Sequence, residues 1–203
     1  NDPKMYILYI LYIYMCFSFE ISIGTFLFSW GISLYLLNKG LSLEQKQKQN
    51  VICLMIFSTI QLADAILWYN KMKKNNINYI VTSYIIPLIL SAQILYNVFV
   101  RNNNKNQFIT ILTFSSILYI FYRFNGYSRS LCNNKFSSPV WGSKELLFME
   151  LVVFALMITY PNYNIFILFL IILSATKIFV GGAYGSLWCA IANIISLYYL
   201  SNY

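Results

Sequence analysis

Histidine is absent from the 203-residue chain, and aspartate and glutamate together number only six. Without imidazole the commonest metal ligand and the usual proton shuttle are missing. That excludes His-based zinc centres and the Ser-His-Asp and Cys-His nucleophile pairs. No glycine-rich phosphate loop of either common type occurs, so nucleotide-driven chemistry has no foothold. Charge is scarce altogether: 10% of residues are charged, where a soluble domain carries about 25%. That is too little to cover a water-facing surface. The four cysteines show no CxxC spacing, so no metal cluster and no resident cofactor is expected. Cys16, Cys53 and Cys189 lie in or beside apolar stretches. Cys132 lies in a long loop, where a seven-span topology permits a disulfide to Cys16.

What is present points to lipid. Hydrophobic residues make up 59% of the chain and aromatics 19%, with a mean hydropathy of +0.62. This composition is that of an integral membrane protein whose first partner is the bilayer. The net charge of +8 comes from Lys and Arg spread thinly over short loops, which is ordinary beside membrane spans, so no nucleic-acid partner is expected.

A spanning helix takes roughly 17–25 mostly apolar residues. The windows Ile21–Asn38, Val51–Tyr69, Asn78–Val100, Phe108–Phe124, Glu145–Tyr160, Asn162–Phe179 and Gly185–Ser201 meet that description. Pro161 breaks the fifth from the sixth, since proline cannot continue a helix. Gly181 and Gly182 make the next break, and Asn125–Lys144 is long enough to be a loop with its own structure. Mostly apolar runs rather than alternation argue against a β-barrel. The expected fold is all-α: a polytopic bundle of seven transmembrane helices, forming one domain over residues 15–203. A further apolar stretch, Met5–Phe19, reads as a signal peptide, an eighth helix or an interfacial segment. Met15 as the natural start would leave residues 1–14 as an upstream extension. Seven spans place nine Lys and Arg on the side of the N-terminus and five on the other, which favours a cytoplasmic N-terminus.

An ionisable group at the bilayer centre costs at least ~2.5 kcal/mol, so intramembrane polar residues are the candidate site. Asp64 leads. Gln61, Asp64 and Trp68 fall at i, i+3 and i+7, on one helical face, and Ala65 allows a neighbouring helix to approach. Asp64 is either a proton- or cation-handling carboxylate or an acid paired simply to hold helices together. Glu150 sits one turn inside its helix start, where a carboxylate suits the positive end of the helix dipole. Lys177 either snorkels to the interface or pairs with Asp64 or Glu150. In the last span Ser186, Cys189, Asn193 and Ser196 form a polar stripe that lines a cavity or a close helix contact. Gln93 and Asn97 add polarity to the third span, where Pro87 is expected to kink the helix.

Several residues taken together carry a resemblance. Met15-Cys16-Phe17-Ser18 with Ser22, Gln61-x-x-Asp64-Ala65-x-x-Trp68, and Gly185-Ser186-Leu187-Trp188-Cys189 resemble uncharacterised small multi-span membrane proteins of giant DNA viruses and bacteria whose chains begin with Met-Cys-Phe-Ser. Leu131-Cys132 with Pro139 and Trp141 is similar to the cysteine-bearing loop of the viral members. Asp64-Ala65 departs from the bacterial Glu-Gly, and Met5–Tyr14 precedes the expected start. The resemblance implies a seven-span protein of a viral or infected-host membrane and names no substrate.

Three readings follow. The leading one is a multi-pass protein that binds or passes a small solute or ion, with Asp64 in a water-accessible cavity among Gln61, Trp68, Gln93, Glu150, Lys177 and the Ser186–Asn193 stripe. The alternative is a non-catalytic structural or interaction component in which Asp64 is sealed in a helix contact. A receptor or sensor, or a membrane enzyme using Cys16 or Cys189, is the third. The residues favour a non-enzymatic role.

Overall fold

In a computed structural model of the chain, residues 18–39, 43–133, 136–180 and 184–203 are described, apart from the side chains of 39, 131–138, 176–177, 179–180 and 184–187. The fold is mostly helical: α1 (Phe19–Lys39), α2 (Gln45–Ser58), α3 (Ile60–Tyr69), α4 (Asn76–Ile80), α5 (Ile86–Leu95), α6 (Gln107–Arg123), α7 (Phe148–Thr159), α8 (Tyr163–Val180) and α9 (Tyr184–Asn202). The helices follow the apolar windows, and several boundaries fall where a capping residue stands in the sequence. Glu44 begins α2, its backbone N–H held by Gln47 Oε1 at 2.9 Å. Asn75 accepts from Asn78 N–H at 3.1 Å to start α4, and Asn106 accepts from Phe108 N–H at 2.9 Å to start α6. Each side chain satisfies a donor that the first turn leaves open.

α2 and α3 form one membrane-length segment, Gln45–Tyr69, interrupted at Thr59. There Ser58 Oγ donates to Leu54 O at 2.9 Å and Thr59 Oγ1 to Met55 O at 2.7 Å. Hydroxyl back-bonding of this kind competes with the helical ladder and bends it. A second segment, Asn76–Arg101, contains α4 and α5 separated by a π-helical stretch, Val81–Ile85, and ends in another, Tyr96–Arg101. Pro87 has no N–H to give, and the turn before it is widened so that Ile86 N–H reaches Val81 O. With Phe19–Asn38, these segments make three helices long and apolar enough to cross a membrane, and Gln107–Arg123, Phe148–Thr159 and Tyr163–Ala175 are shorter apolar helices.

The all-α expectation is borne out, and a short hairpin in a loop is added to it. Within the loop before α7, β1 (Arg129–Asn133) and β2 (Phe136–Val140) pair antiparallel, Arg129 opposite Val140 and Leu131 opposite Ser138. The base of this hairpin is anchored to the bundle. Asn78 Nδ2 donates to Ser128 O at 2.9 Å, Ser128 N–H donates to Asn78 Oδ1 at 2.8 Å, and the Thr82 and Ser128 hydroxyls lie 2.7 Å apart. Gly142 turns the chain after β2 at φ +81°, where an added Cβ would lie 3.3 Å from Arg123 O. Only glycine combines that backbone angle with that approach.

The interior is continuous from Phe57 and Ile60 through Ile86, Ile94 and Val98 to Leu151, Leu173 and Trp188. A smaller cluster of Ile32, Leu36, Leu43 and Val51 holds α1 against the rest. The outward faces are apolar as well: Leu118 is 73% exposed, Phe108 70% and Ile111 66% along α6 alone. A soluble bundle would turn those positions polar, and apolar outward faces fit a hydrocarbon solvent. The N-terminal stretch Met5–Phe19, apart from Ser18 and Phe19, lies outside the described residues, as do the side chains of Cys16 and Cys132.

Asn78→Ala would leave the Ser128 amide and carbonyl short of partners in a buried setting. The expected loss is about 1–3 kcal/mol, read as a lower unfolding midpoint in detergent together with faster proteolysis between residues 125 and 147. An unchanged cleavage rate would show that the hairpin is held elsewhere.

Candidate functional site

Gln61 and Asp64 project from α3 into the protein interior, and both are fully buried. Trp68, expected on the same face, is half-buried, and its indole Nε1 has no partner among the described residues. The face diverges because α3 ends a residue later at Tyr69 and Trp68 lies at the margin of the core.

Asp64 Oδ1 accepts from Trp141 Nε1 at 2.7 Å, while Oδ2 has no partner among the described residues. Trp141 follows β2 directly and is 4% exposed. The hairpin therefore delivers an indole into the bundle, and Asp64 receives it. Beside this bond Cys189 Sγ donates to Gln61 Oε1, leaving Gln61 Nε2 without a described partner. Around the pair stands an aromatic wall. Trp188 stacks on Phe57 with ring centroids 5.7 Å apart and meets Trp141 edge-on at 6.3 Å. Phe154 and Phe169 also flank Trp188, and Phe124 flanks Trp141.

The polar stripe of α9 resolves into a helix contact. Asn193 Nδ2 donates to Thr25 Oγ1 at 3.3 Å and Ser196 Oγ to Ser29 Oγ at 3.0 Å. Its complement on α1 is Ser22, Thr25, Ser29 and Ser33, all buried. Their spacing of three, four and four is a helical stripe legible in the sequence, and it passes unnoticed because small hydroxyl residues barely interrupt an apolar window. The side chains of Ser186 and Lys177 lie outside the described residues.

Glu150 joins none of these groups. It pairs with Arg123, Nε to Oε1 at 2.8 Å, and accepts from Tyr119 OH and from Leu147 N–H at 2.7 Å. Its observed cation is thus on α6, where the sequence suggested Lys177 as one candidate. The capping contact with Leu147 is the role expected for an acid in a first helical turn. Arg123 Nη2 further donates to Lys144 O at 3.0 Å and Glu145 O at 2.6 Å. Such additional bonds are what a poorly hydrated ion pair requires.

Two cavities adjoin this core. One, of about 340 Å³, lies between α6 and α7 and is walled by Phe124, Trp141, Phe154 and Trp188, with Tyr119, Arg123 and Glu150 at its polar end. The other, of about 400 Å³, lies among α2, α5, α8 and α9 and includes Gln93, whose Nε2 donates to Phe57 O at 3.4 Å and whose Oε1 has no described partner. Asp64, wholly shielded from solvent, lines neither. Neither of these two cavities reaches Asp64, whose carboxyl is instead held by the Trp141 indole. No group of three or more metal-ligating side chains occurs among the described residues. Comparison with protein-family models, curated proteins and solved structures yields no match.

The Asp64–Trp141 bond needs an acceptor oxygen, which a carboxamide also supplies. Asp64→Asn is expected to stay within about 1 kcal/mol of the parent, whereas Asp64→Leu orphans a buried indole N–H and costs about 1–3 kcal/mol. Denaturant unfolding in detergent, followed by tryptophan emission, distinguishes them. Equal damage from both would assign the role to the charge and not to the acceptor.

Proposed function

We propose that the chain is a multi-pass membrane protein of seven spans that binds a small, largely apolar solute in the aromatic cavity between α6 and α7. The seven-span reading is supported by the agreement between the apolar windows and α1, the Gln45–Tyr69 and Asn76–Arg101 segments, and α6 to α9. The 12 residues of α7 reach only about 18 Å, short of a hydrocarbon core of about 30 Å. Val140 and Trp141, some seven residues upstream, are buried in protein, whereas Ser143, Lys144 and Glu145, nearer to α7, are exposed.

One observation carries the binding reading. The cavity of about 340 Å³ falls in the size range of ligand sites, ~300–1,000 Å³, and has their character of apolar walls with a few convergent polar groups. Trp188, 2% exposed, forms part of its wall and has an indole N–H with no described partner. A ligand with one polar group on an apolar body would match the Ser116, Tyr119 and Arg123 side chains of that lining. Since neither cavity reaches Asp64, the proposal concerns binding rather than ion passage, and Asp64 acts by holding Trp141 in the wall. The sealed carboxyl also favours a second reading, a non-catalytic structural or interaction component of a membrane.

The test uses 4-bromobenzyl alcohol, a small apolar heavy-atom quencher with one hydroxyl, on protein in lipid nanodiscs. Saturable quenching of tryptophan emission is expected for the parent and its loss for Ser116→Phe, which fills the cavity. Quenching that rises linearly with probe and is equal in both proteins would leave the structural reading.

A further inference from the structure

The cavity among α2, α5, α8 and α9 has a chemistry of its own. Its inner wall is Phe57, Phe169, Ile172 and Ile191, and its volume is about 400 Å³. Its cation and several of its polar residues, Asn50, Arg101 and Tyr199, gather at one end. Asn50 lies in the first turns of α2 and donates to Tyr203 OH at 2.9 Å, so the start of α2 and the end of α9 lie together. Arg101 closes the Asn76–Arg101 segment and lines the same end with Tyr199. Gln93 and Phe57 stand eight and seven residues from Arg101 and Asn50 along their helices, roughly 10 Å deeper at the helical rise. The cavity is thus amphipathic along its length.

Arg101 is half-buried; its Nη1 donates to Asn97 Oδ1 at 3.2 Å, and its guanidinium also meets the Cys53 thiol. Among the described residues, the ion pairs are Arg123–Glu150 and Arg129–Glu145, and neither involves Arg101. A guanidinium at the mouth of an apolar cavity, without a carboxylate of its own, is a site for an anionic group from outside the chain. Gln93, 3% exposed, adds an unpartnered amide oxygen at the deep end, and Asn50 Oδ1 is likewise buried without a described partner.

We infer that this cavity binds a single-chain anionic amphiphile, its head on Arg101 and its chain running inward toward Phe57 and Phe169. The assignment rests on the multi-pass reading, which puts the Arg101 end at a membrane surface where such a molecule arrives by lateral diffusion. It is independent of the aromatic cavity between α6 and α7, and Trp188 stands behind its inner wall, 5.7 Å from the Phe57 ring and 6.2 Å from that of Phe169.

That placement makes Trp188 the reporter. The protein in phosphatidylcholine nanodiscs is titrated with 12-bromododecanoate, whose bromine travels at the chain end. Saturable quenching is expected, weaker for 2-bromododecanoate, whose bromine stays at the mouth. Methyl 12-bromododecanoate, lacking the anion, should bind about tenfold more weakly, as should 12-bromododecanoate to Arg101→Gln, since each loses a charge-assisted hydrogen bond. Arg101→Lys keeps the charge and should recover most of that loss. Ile191→Phe, which fills the chain cavity, should abolish the saturable phase. Equal affinity for acid and ester in the parent protein overturns head-group recognition without relying on any variant. Absence of saturable quenching in a protein that resists alkaline extraction from the bilayer overturns the site itself. Release of the chain by alkali overturns the multi-pass reading instead.

Discussion

Everything in this interior is arranged around a shortage of hydrogen-bond partners. In an apolar bundle a buried polar group gains by being met from another part of the same chain, because water is not there to meet it. The bond from the Trp141 indole to Asp64 is the most consequential solution. It joins residues 77 positions apart and pulls the end of the hairpin into the helical core. Once Trp141 is seated, its ring fixes the edge-on contact with Trp188, and Trp188 in turn orders Phe57, Phe154 and Phe169. A single acid on α3 thus sets the position of an aromatic wall drawn from five other elements. Aromatic pairs in these geometries add to what area burial alone supplies, by about 0.5–1.5 kcal/mol each.

The same rule explains how the remaining helices are joined. The α1 and α9 contact matches hydroxyls and an amide, Thr25 with Asn193 and Ser29 with Ser196. In lipid there is no hydrophobic drive between apolar helices, so close packing of small residues and interhelical bonds take its place. At the end of the bundle away from the hairpin, asparagines do this work. Asn97 Nδ2 donates to Met157 O at 2.8 Å and Tyr160 O at 2.9 Å, and Asn102 Nδ2 donates to Tyr160 O at 2.8 Å. These bonds satisfy carbonyls that α7 leaves open where Pro161 stops it. The break predicted from one proline is therefore compensated from another helix rather than left exposed.

What could be read from the sequence follows from how local each feature is. Helix positions were legible because length, apolarity and breakers such as Pro161 act over a few residues. The helix-start role of Glu150 was legible for the same reason. The hairpin was legible only as a loop with structure, since the link between its strands and the short windows Arg129–Asn133 and Phe136–Val140 carry no strong alternation. Least legible were the long-range pairings. Nothing along the chain distinguishes Arg123 from Lys177 as the partner of Glu150, and nothing marks Trp141 as the donor to Asp64. The polar stripe of α9 could be read, but whether it faced a cavity or a helix depended on the matching stripe of α1. That second stripe, at three, four and four, was the signal that would have decided it.

The distribution of polarity also weighs binding against conduction. A conducting path needs a run of waters, carbonyls or charged rings from one surface to the other, so that an ion exchanges its hydration stepwise. In the described interior, the strongly polar groups are sorted instead into separate places: Asp64 under Trp141, Gln61 against Cys189, and Arg123 with Glu150 at one end of a cavity. Between the two cavities stands Trp188, lining the first and backed by Phe57 and Phe169 of the second. An indole stacked on Phe57 and flanked by Phe154 and Phe169 is a barrier that an ion would have to cross without a ligand. Two mostly apolar chambers with an aromatic partition between them offer no such run of ligands from one surface to the other.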